Sequence, residues 1–418
     1  MLIFQKTNSS KYNNTAITGT HSFDIGIWTI VYEKTCTVSG DFSFIIDNFD
    51  FKIIENQIFI HIADHQHSLF LFEDSGTIII SSKQKYFKLF DNISLEAISK
   101  EDFILQDWCK EKSSFLKNTI KISPDFNLIL YIDKGQYTIQ KINTTSPKIW
   151  KGNFEEAISK LHILLKKYTI CDNNKVAVPI SGGIDSATIA AYAHTHSKVF
   201  TYTIGTNEGN EYEGAAANAN YIGTIHKEIS IEDEEYMHIL DHCITLQEFL
   251  DVRYAEGFVG FYKVYEYASS KNIFQIYTGY GADLIFGDIF GLEDRTTSSA
   301  IAAQALERTA YTGELGNGIA QNFSCSTLHP FLNNEIVEFA LGIPYTYKYC
   351  NDEVKFIMRE LLSRNKTLPQ SIISHPKIGF SQGAAFDKVF AKMIKTQSND
   401  YRAKQLYLYD RLLQYLVH

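Results

Sequence analysis

The 418 residues exceed what one hydrophobic core usually serves, and 45% hydrophobic with 21% charged residues is ordinary usage for a soluble globular chain. A formal charge of −9 speaks against a large nucleic-acid surface and leaves a small molecule as the expected partner. The N-terminus turns polar after Phe4 and no long apolar run follows, so neither a signal peptide nor a membrane span is expected. Residues 1–150 are rich in short alternating runs, Q-I-F-I-H-I, L-F-L-F, T-I-I-I-S-S and F-N-L-I-L-Y-I, which predict antiparallel strands. Within them His61, His65 and His67 read as surface positions of a strand and its turn rather than metal ligands. From about Phe154 strands alternate with helices: helix 154–168, strand 175–180, helix 186–194, strand 198–205, helix 211–222, strand 226–231, a long helical stretch 233–270 and strand 273–278. This order predicts an α/β doubly wound parallel sheet with its ligand site at the strand C-termini, spanning 151–418 after a smaller β-rich domain at 1–150. The six cysteines, Cys36, Cys109, Cys171, Cys243, Cys325 and Cys350, form no C-x-x-C pair and read as reduced thiols of a cytoplasmic protein.

Two loops carry the chemistry. In Lys175–Ser186, K-V-A-V-P-I-S-G-G-I-D-S, an apolar strand breaks into a Ser-Gly-Gly turn and an Asp-Ser pair opens a helix. Gly182 and Gly183 can take backbone angles closed to other residues, so successive N–H groups are expected to converge on an anion at the helix N-terminus. Ser181 and Ser186 add hydroxyl donors, and Asp185 offers a carboxylate for the Mg²⁺ that accompanies phosphates. The plain alternative is a capped Gly-rich turn. The kinase-like loop G-x-x-x-x-G-K-[ST] is absent. The second loop, Thr278–Gly287, T-G-Y-G-A-D-L-I-F-G, follows the strand F-Q-I-Y. Leu284 stands where a dinucleotide fingerprint needs its third Gly. In a doubly wound sheet this loop can face the first, bringing Asp283 opposite Asp185 so that both share one Mg²⁺; the plain alternative is Asp283 as a helix cap.

The hexapeptide S-G-G-I-D-S resembles the pyrophosphatase loop of the N-type ATP pyrophosphatases, whose fold is adenine nucleotide alpha hydrolase-like. Residues 175 to about 400 further resemble the synthetase domain of the asparagine synthetase family, within it the β-lactam and carbapenam synthetases. The landmarks are S-G-G-I-D-S, T-Y-T-I-G-T with N-E-Y at 210–212, T-G-Y-G-A-D at 278–283, Y-T-G-E at 311–314, H-P-F at 329–331, D-E-V-K at 352–355 and H-P-K-I-G-F-S-Q-G at 375–383. The resemblance implies ATP and Mg²⁺ as cofactors, and attack of a substrate carboxylate on the α-phosphorus to give an adenylate. It implies nucleotide contacts at Val178, Ser181, Gly182, Gly183, Asp185 and Ser186, then at Thr203, Ile204, Gly205, Gly279 and Lys355. It also implies metal ligation by Asp185 and Asp283. An amine nucleophile must lose its proton before it attacks, and a phenol of pKa about 10 needs help to take it. The lactam-forming branch pairs a Tyr with a Glu at the places of Tyr280 and Glu314, and Lys377 would steady the oxyanion and the departing phosphates. Glu256, Tyr280 and Gly281 are the implied substrate contacts.

The front half resembles the family's degenerate Ntn glutaminase domain. Leu2 stands where a glutamine-dependent synthetase needs a Cys, so the amine is expected to arrive with the substrate. The domain looks shortened, and its layered sandwich is expected to be incomplete. Asp288 and Ser381-Gln382 depart from the lactam-forming pattern and put the substrate, not the adenylation, in question. The reading is an amide synthetase closing a lactam on an amino-acid-like small molecule. Alternatives are an intermolecular ligase or macrocyclase on the same scaffold, and a non-catalytic nucleotide-binding relative. No nucleic acid or membrane partner is expected, and a homo-oligomer is left open.

Overall fold

A computed structural model describes residues 2–6, 20–25, 28–33, 36–38, 43–46, 49–62, 69–74, 77–90, 93–105, 114–122, 126–141, 148–171, 174–248, 251–287, 316–374 and 380–417. The front half supplies strands β1 (Leu2–Lys6), β2 (Thr20–Ile25), β3 (Trp28–Glu33), β4 (Cys36–Val38), β5 (Ser43–Ile46), β6 (Phe49–Ile54), β7 (Gln57–Ile62), β8 (Leu69–Asp74), β9 (Thr77–Ser81), β10 (Thr119–Ile122), β11 (Phe126–Tyr131) and β12 (Gln136–Lys141). They form two six-stranded sheets, ordered β10-β8-β9-β1-β3-β2 and β12-β11-β7-β6-β5-β4. Every pairing in them is antiparallel.

Side chains alternate across a strand, so L-F-L-F and T-I-I-I must feed two faces. Leu69, Leu71, Ile78 and Ile80 meet residues of the second sheet, among them Ile60 and Leu128, in one core. Phe72 and Ile79 point the other way, into a core shared with Phe103, Phe115, Tyr409 and Leu412. Strands β8 and β9 are therefore buried on both faces, which explains their continuous apolar runs. Strands β6, β7, β8, β9, β10 and β11, drawn from both sheets, enclose the core around Ile60 and Leu128. Helix α1 (Lys100–Leu105) brings Phe103 edge-on to Tyr409, with ring centroids 5.1 Å apart. His61 lies on β7, while His65 and His67 fall outside the described residues.

The back half opens with α2 (Phe154–Tyr168), started by a reciprocal cap in which Asn153 and Glu156 satisfy each other's backbone N–H at 2.9 and 2.8 Å. Then follow β13 (Lys175–Pro179), α3 (Ile184–His194), β14 (Lys198–Thr206), α4 (Tyr212–Ile222), β15 (Ile225–Ile231), α5 (Asp233–Gln247), α6 (Val252–Ser270), β16 (Gln275–Tyr277), α7 (Ala282–Phe286) and β17 (Ser326–Leu328). The five strands make one parallel sheet of order β15-β14-β13-β16-β17. Val176 and Val178 join a core with α2 and α3, whereas Ala177, Tyr202 and Ile204 join a core with α5 and α6. Helices thus cover both faces, as a doubly wound sheet requires. The chain winds outward from β13 to β15 and then crosses back to β16, so the winding reverses between β13 and β16 and opens a crevice above their C-terminal ends.

The predicted helical stretch 233–270 is two helices. Glu248 takes a left-handed backbone, φ 54°, and ends α5. Its buried carboxylate accepts the N–H groups of Gln84 at 2.6 Å and Lys85 at 3.0 Å, opening the short 3-10 helix Gln84–Leu89 of the front half. The break serves a long-range contact that no local periodicity reveals. Among the described residues no helix is long and apolar enough to cross a membrane.

Candidate active site

Both special loops leave the sheet at the switch point. After β13 the chain turns at Ser181-Gly182-Gly183 into α3. The loop is knit by its own hydroxyls: Ser181 N–H donates to Ser186 Oγ at 3.1 Å, Gly183 N–H donates to Ser181 Oγ at 3.2 Å, and the two hydroxyl oxygens lie 3.2 Å apart. Helix α4 backs it. Asn218 donates to the Ser181 carbonyl at 2.7 Å, and a Cβ on Gly214 would come within 2.9 Å of Gly182 Cα. Glu211, just before that helix, is pushed to a raised pKa by burial, which a hydrogen bond from the Gly182 backbone partly offsets. Gly214 and Asn218 lie on one face of α4 and stand in no quoted motif, whereas Glu211, at the start of that helix, belongs to N-E-Y at 210–212.

The second loop touches the first through its main chain. A Cβ on Gly279 would fall 2.5 Å from Ser186 N and 2.6 Å from the Asp185 carbonyl carbon. Gly281 sits at φ 98°, and a Cβ there would strike Leu332 of the H-P-F-L segment. These approaches bring Asp185 and Asp283 to one point. Lys355 Nζ donates to Asp185 Oδ1 and Oδ2 at 2.7 and 2.6 Å and lies 2.5 Å from Asp283 Oδ1. The lysine is buried, has a left-handed backbone of φ 59°, and donates its own N–H to Phe286 O at 3.2 Å, at the end of α7. Two carboxylates converging on one cation position are the donor chemistry that a hard divalent ion takes. Among the described residues no third His, Cys, Asp or Glu joins them in a metal-holding group.

Tyr280 packs against His329. Its ring meets the His329 ring edge-on at 5.8 Å, and its backbone N–H reaches Thr278 Oγ1 at 3.3 Å. Thr278 Oγ1 lies 2.6 Å from His329 Nδ1, both residues following the register pair Tyr277↔Leu328 at the tips of β16 and β17. The Thr278 hydroxyl accepts from the Tyr280 N–H and shares one further hydrogen bond with Nδ1, whose direction follows the imidazole tautomer. Thr278 and His329 belong to quoted motifs, yet their pairing needs the parallel register to be seen.

Other expected residues lie as follows. Thr203 Oγ1 donates to Ile180 O at 2.8 Å, and Gly205 leaves no room for a side chain, its Cβ position lying 2.6 Å from the Tyr212 hydroxyl. Val178 and Ile204 point into opposite cores, so any nucleotide contact from them is through the backbone. Thr206 Oγ1 donates to Ala384 O at 2.6 Å, which draws the 380–385 segment beside β14. Glu256, expected to receive a substrate ammonium, holds an ammonium of the chain itself: Lys404 Nζ, fully buried, lies 2.5 Å from its Oε1 and also donates to Asp387 O and Ser398 O. Glu314, Lys377 and Asp288 lie outside the described residues.

A parallel sheet of this order with an S-G-G-x-D-S loop at its reversal defines the adenine nucleotide alpha hydrolase-like class. Residues 169–322 and 317–417 match the Asparagine synthase family, and the chain belongs to that family. It is 23% identical over 275 residues to the carboxyethyl-arginine beta-lactam-synthase of Streptomyces clavuligerus, covering 64% of this chain and 52% of that one. It is 26% identical over 258 residues to a putative glutamine-hydrolyzing asparagine synthetase of Methanocaldococcus jannaschii, covering 58% and 47%. With the asparagine synthetase of Rattus norvegicus it shares 25% over 253 residues, covering 56% and 45%. The chain thus spans about half the length of these relatives. Similar solved structures include an NMN synthetase from Francisella tularensis, at 15% identity, 64% and 97% coverage and TM-score 0.32. An NH3-dependent NAD synthetase from Campylobacter jejuni gives 19%, 58% and 97%, and 0.26.

Proposed function

We propose that the chain is an ATP- and Mg²⁺-dependent synthetase that adenylates the carboxylate of a small amino-acid-like substrate and closes a lactam by attack of the substrate's own amine. The observation that carries this reading is the meeting of Asp185 and Asp283, from two loops on either side of the switch point, at one buried cation position. Mg²⁺ held there would neutralise charge on the leaving phosphates. The carboxylate oxygen attacks the α-phosphorus and pyrophosphate leaves; the amine, once deprotonated, attacks the acyl carbon and AMP leaves. Tyr280 is the base, with Glu314 as its partner and Lys377 beside the oxyanion. The name of the Streptomyces clavuligerus relative and the Tyr in T-G-Y-G-A-D favour ring closure over capture of a second molecule.

The test is to incubate the protein with ATP, Mg²⁺ and a panel of β-amino-acid-like carboxylates, and to separate the nucleotides formed. AMP and pyrophosphate in step with a cyclic amide are expected from one organic substrate. Release of ADP would sink the reading, and a strict need for a second amine would move it to an intermolecular ligase.

A further inference from the structure

We propose that Lys355 is the resting countercation of the Asp185–Asp283 pair, so that the site rejects a free divalent cation and admits one only together with a nucleotide's phosphates. This rests on reading the two carboxylates as the metal ligands of an adenylating site. Two carboxylates held together in a buried crevice repel each other, and one must take up a proton unless a cation stands between them. Lys355 supplies that cation, within 2.7 Å of three carboxylate oxygens. Its side chain is 4% exposed, against 19% for Asp185 and 28% for Asp283, so the ammonium lies on the protein side and the carboxylates on the open side.

The lysine is built in rather than drifting in. Its positive φ is a conformation that a non-glycine residue keeps only when its surroundings enforce it, and its N–H bond to Phe286 fastens it to the helix that carries Asp283. Magnesium keeps a full octahedral shell and is usually held by one or two carboxylates plus substrate phosphates. A bare ion entering here gains two carboxylates and forces the ammonium away from its partners. When phosphates arrive with the ion, they complete its oxygen shell and offer the displaced ammonium new acceptors. Until then the ion pairs of Lys355 hold the two loops together.

Mn²⁺ is the probe, its free fraction read by electron paramagnetic resonance on the whole chain, alone and with α,β-methylene ATP. The wild type should take up little Mn²⁺ until the analogue is added. Lys355→Met should bind Mn²⁺ alone on the order of tenfold more tightly, the usual scale of coupling between sites. Asp185→Asn in that background should abolish the gain. Equal affinity of wild type and Lys355→Met for Mn²⁺ alone, including no uptake by either, overturns the proposal. Should Lys355→Met fold poorly, Lys355→Gln serves: Mn²⁺ alone should raise its melting temperature and leave the wild type unmoved, and an equal response refutes the role. If the analogue fails to promote Mn²⁺ uptake by the wild type while Lys355→Met binds it alone, the countercation stands and the adenylation reading falls.

Discussion

Gly279 acts by having no side chain, and the role proposed for Tyr280 lies at the end of its own. A methyl group at 279 meets the Asp185–Ser186 backbone, which cannot swing aside as a flexible side chain would. Gly279→Ala should cost about 1–3 kcal/mol of stability, the usual scale of overpacking, and weaken binding of α,β-methylene ATP; urea melts and calorimetry check the two effects. Tyr280→Phe removes the phenol and keeps the ring against His329. Pyrophosphate formation should persist while amide formation falls about 10²–10⁴-fold, the usual contribution of general acid–base catalysis. Undiminished amide formation would remove Tyr280 from the mechanism. Asp185 and Asp283 were legible in the sequence because loop chemistry is local and strand order predicted that the loops face each other. Lys355 was legible only as a motif residue, since its place between the carboxylates depends on a turn some seventy residues beyond the second loop.

At the scale of elements, the helix Tyr401–Leu416 is tied to α6 by Lys404 and Glu256. Burial pushes the Glu256 carboxyl up to about 7 from the ordinary 4.5, against the pull of Lys404. The folded protein therefore keeps a proton that the unfolded chain releases between these values, so this group's contribution to stability is full below pH 4.5 and lost as pH rises to about 7. Urea midpoints measured across that window should fall for the wild type relative to Glu256→Gln, which has no proton to release. Parallel curves for the two proteins would contradict this assignment. Periodicity found β13, β14, β15 and β16 and helices α2, α3 and α4 to within a few residues, because each buries a regular face, and missed the three-residue edge strand β17. It missed the α5–α6 break, whose cause is a carboxylate needed by the N–H groups of residues 84 and 85. It also could not pair sandwich strands separated by long stretches of sequence, such as β10 with β8.

For the whole molecule, the decisive feature is that the core containing Phe103 draws residues from both halves. Phe103→Ala should lower stability by about 3–5 kcal/mol, the usual cost of emptying a large aromatic site. Urea unfolding followed separately by proteolysis of the front half and by circular dichroism should give coincident curves. A front half that melts first would mean that the shared core does not couple the two. The composition shift near residue 150 was legible because alternation gives way to helical periodicity. The fusion across it was not, because an apolar residue does not say which core it enters. The contact at Gly279 bears on how the two loops could diversify. Where the second loop crosses the Asp185–Ser186 peptide, the spacing is set by main-chain atoms, so side chains elsewhere in the loops can change while that approach is inherited unchanged.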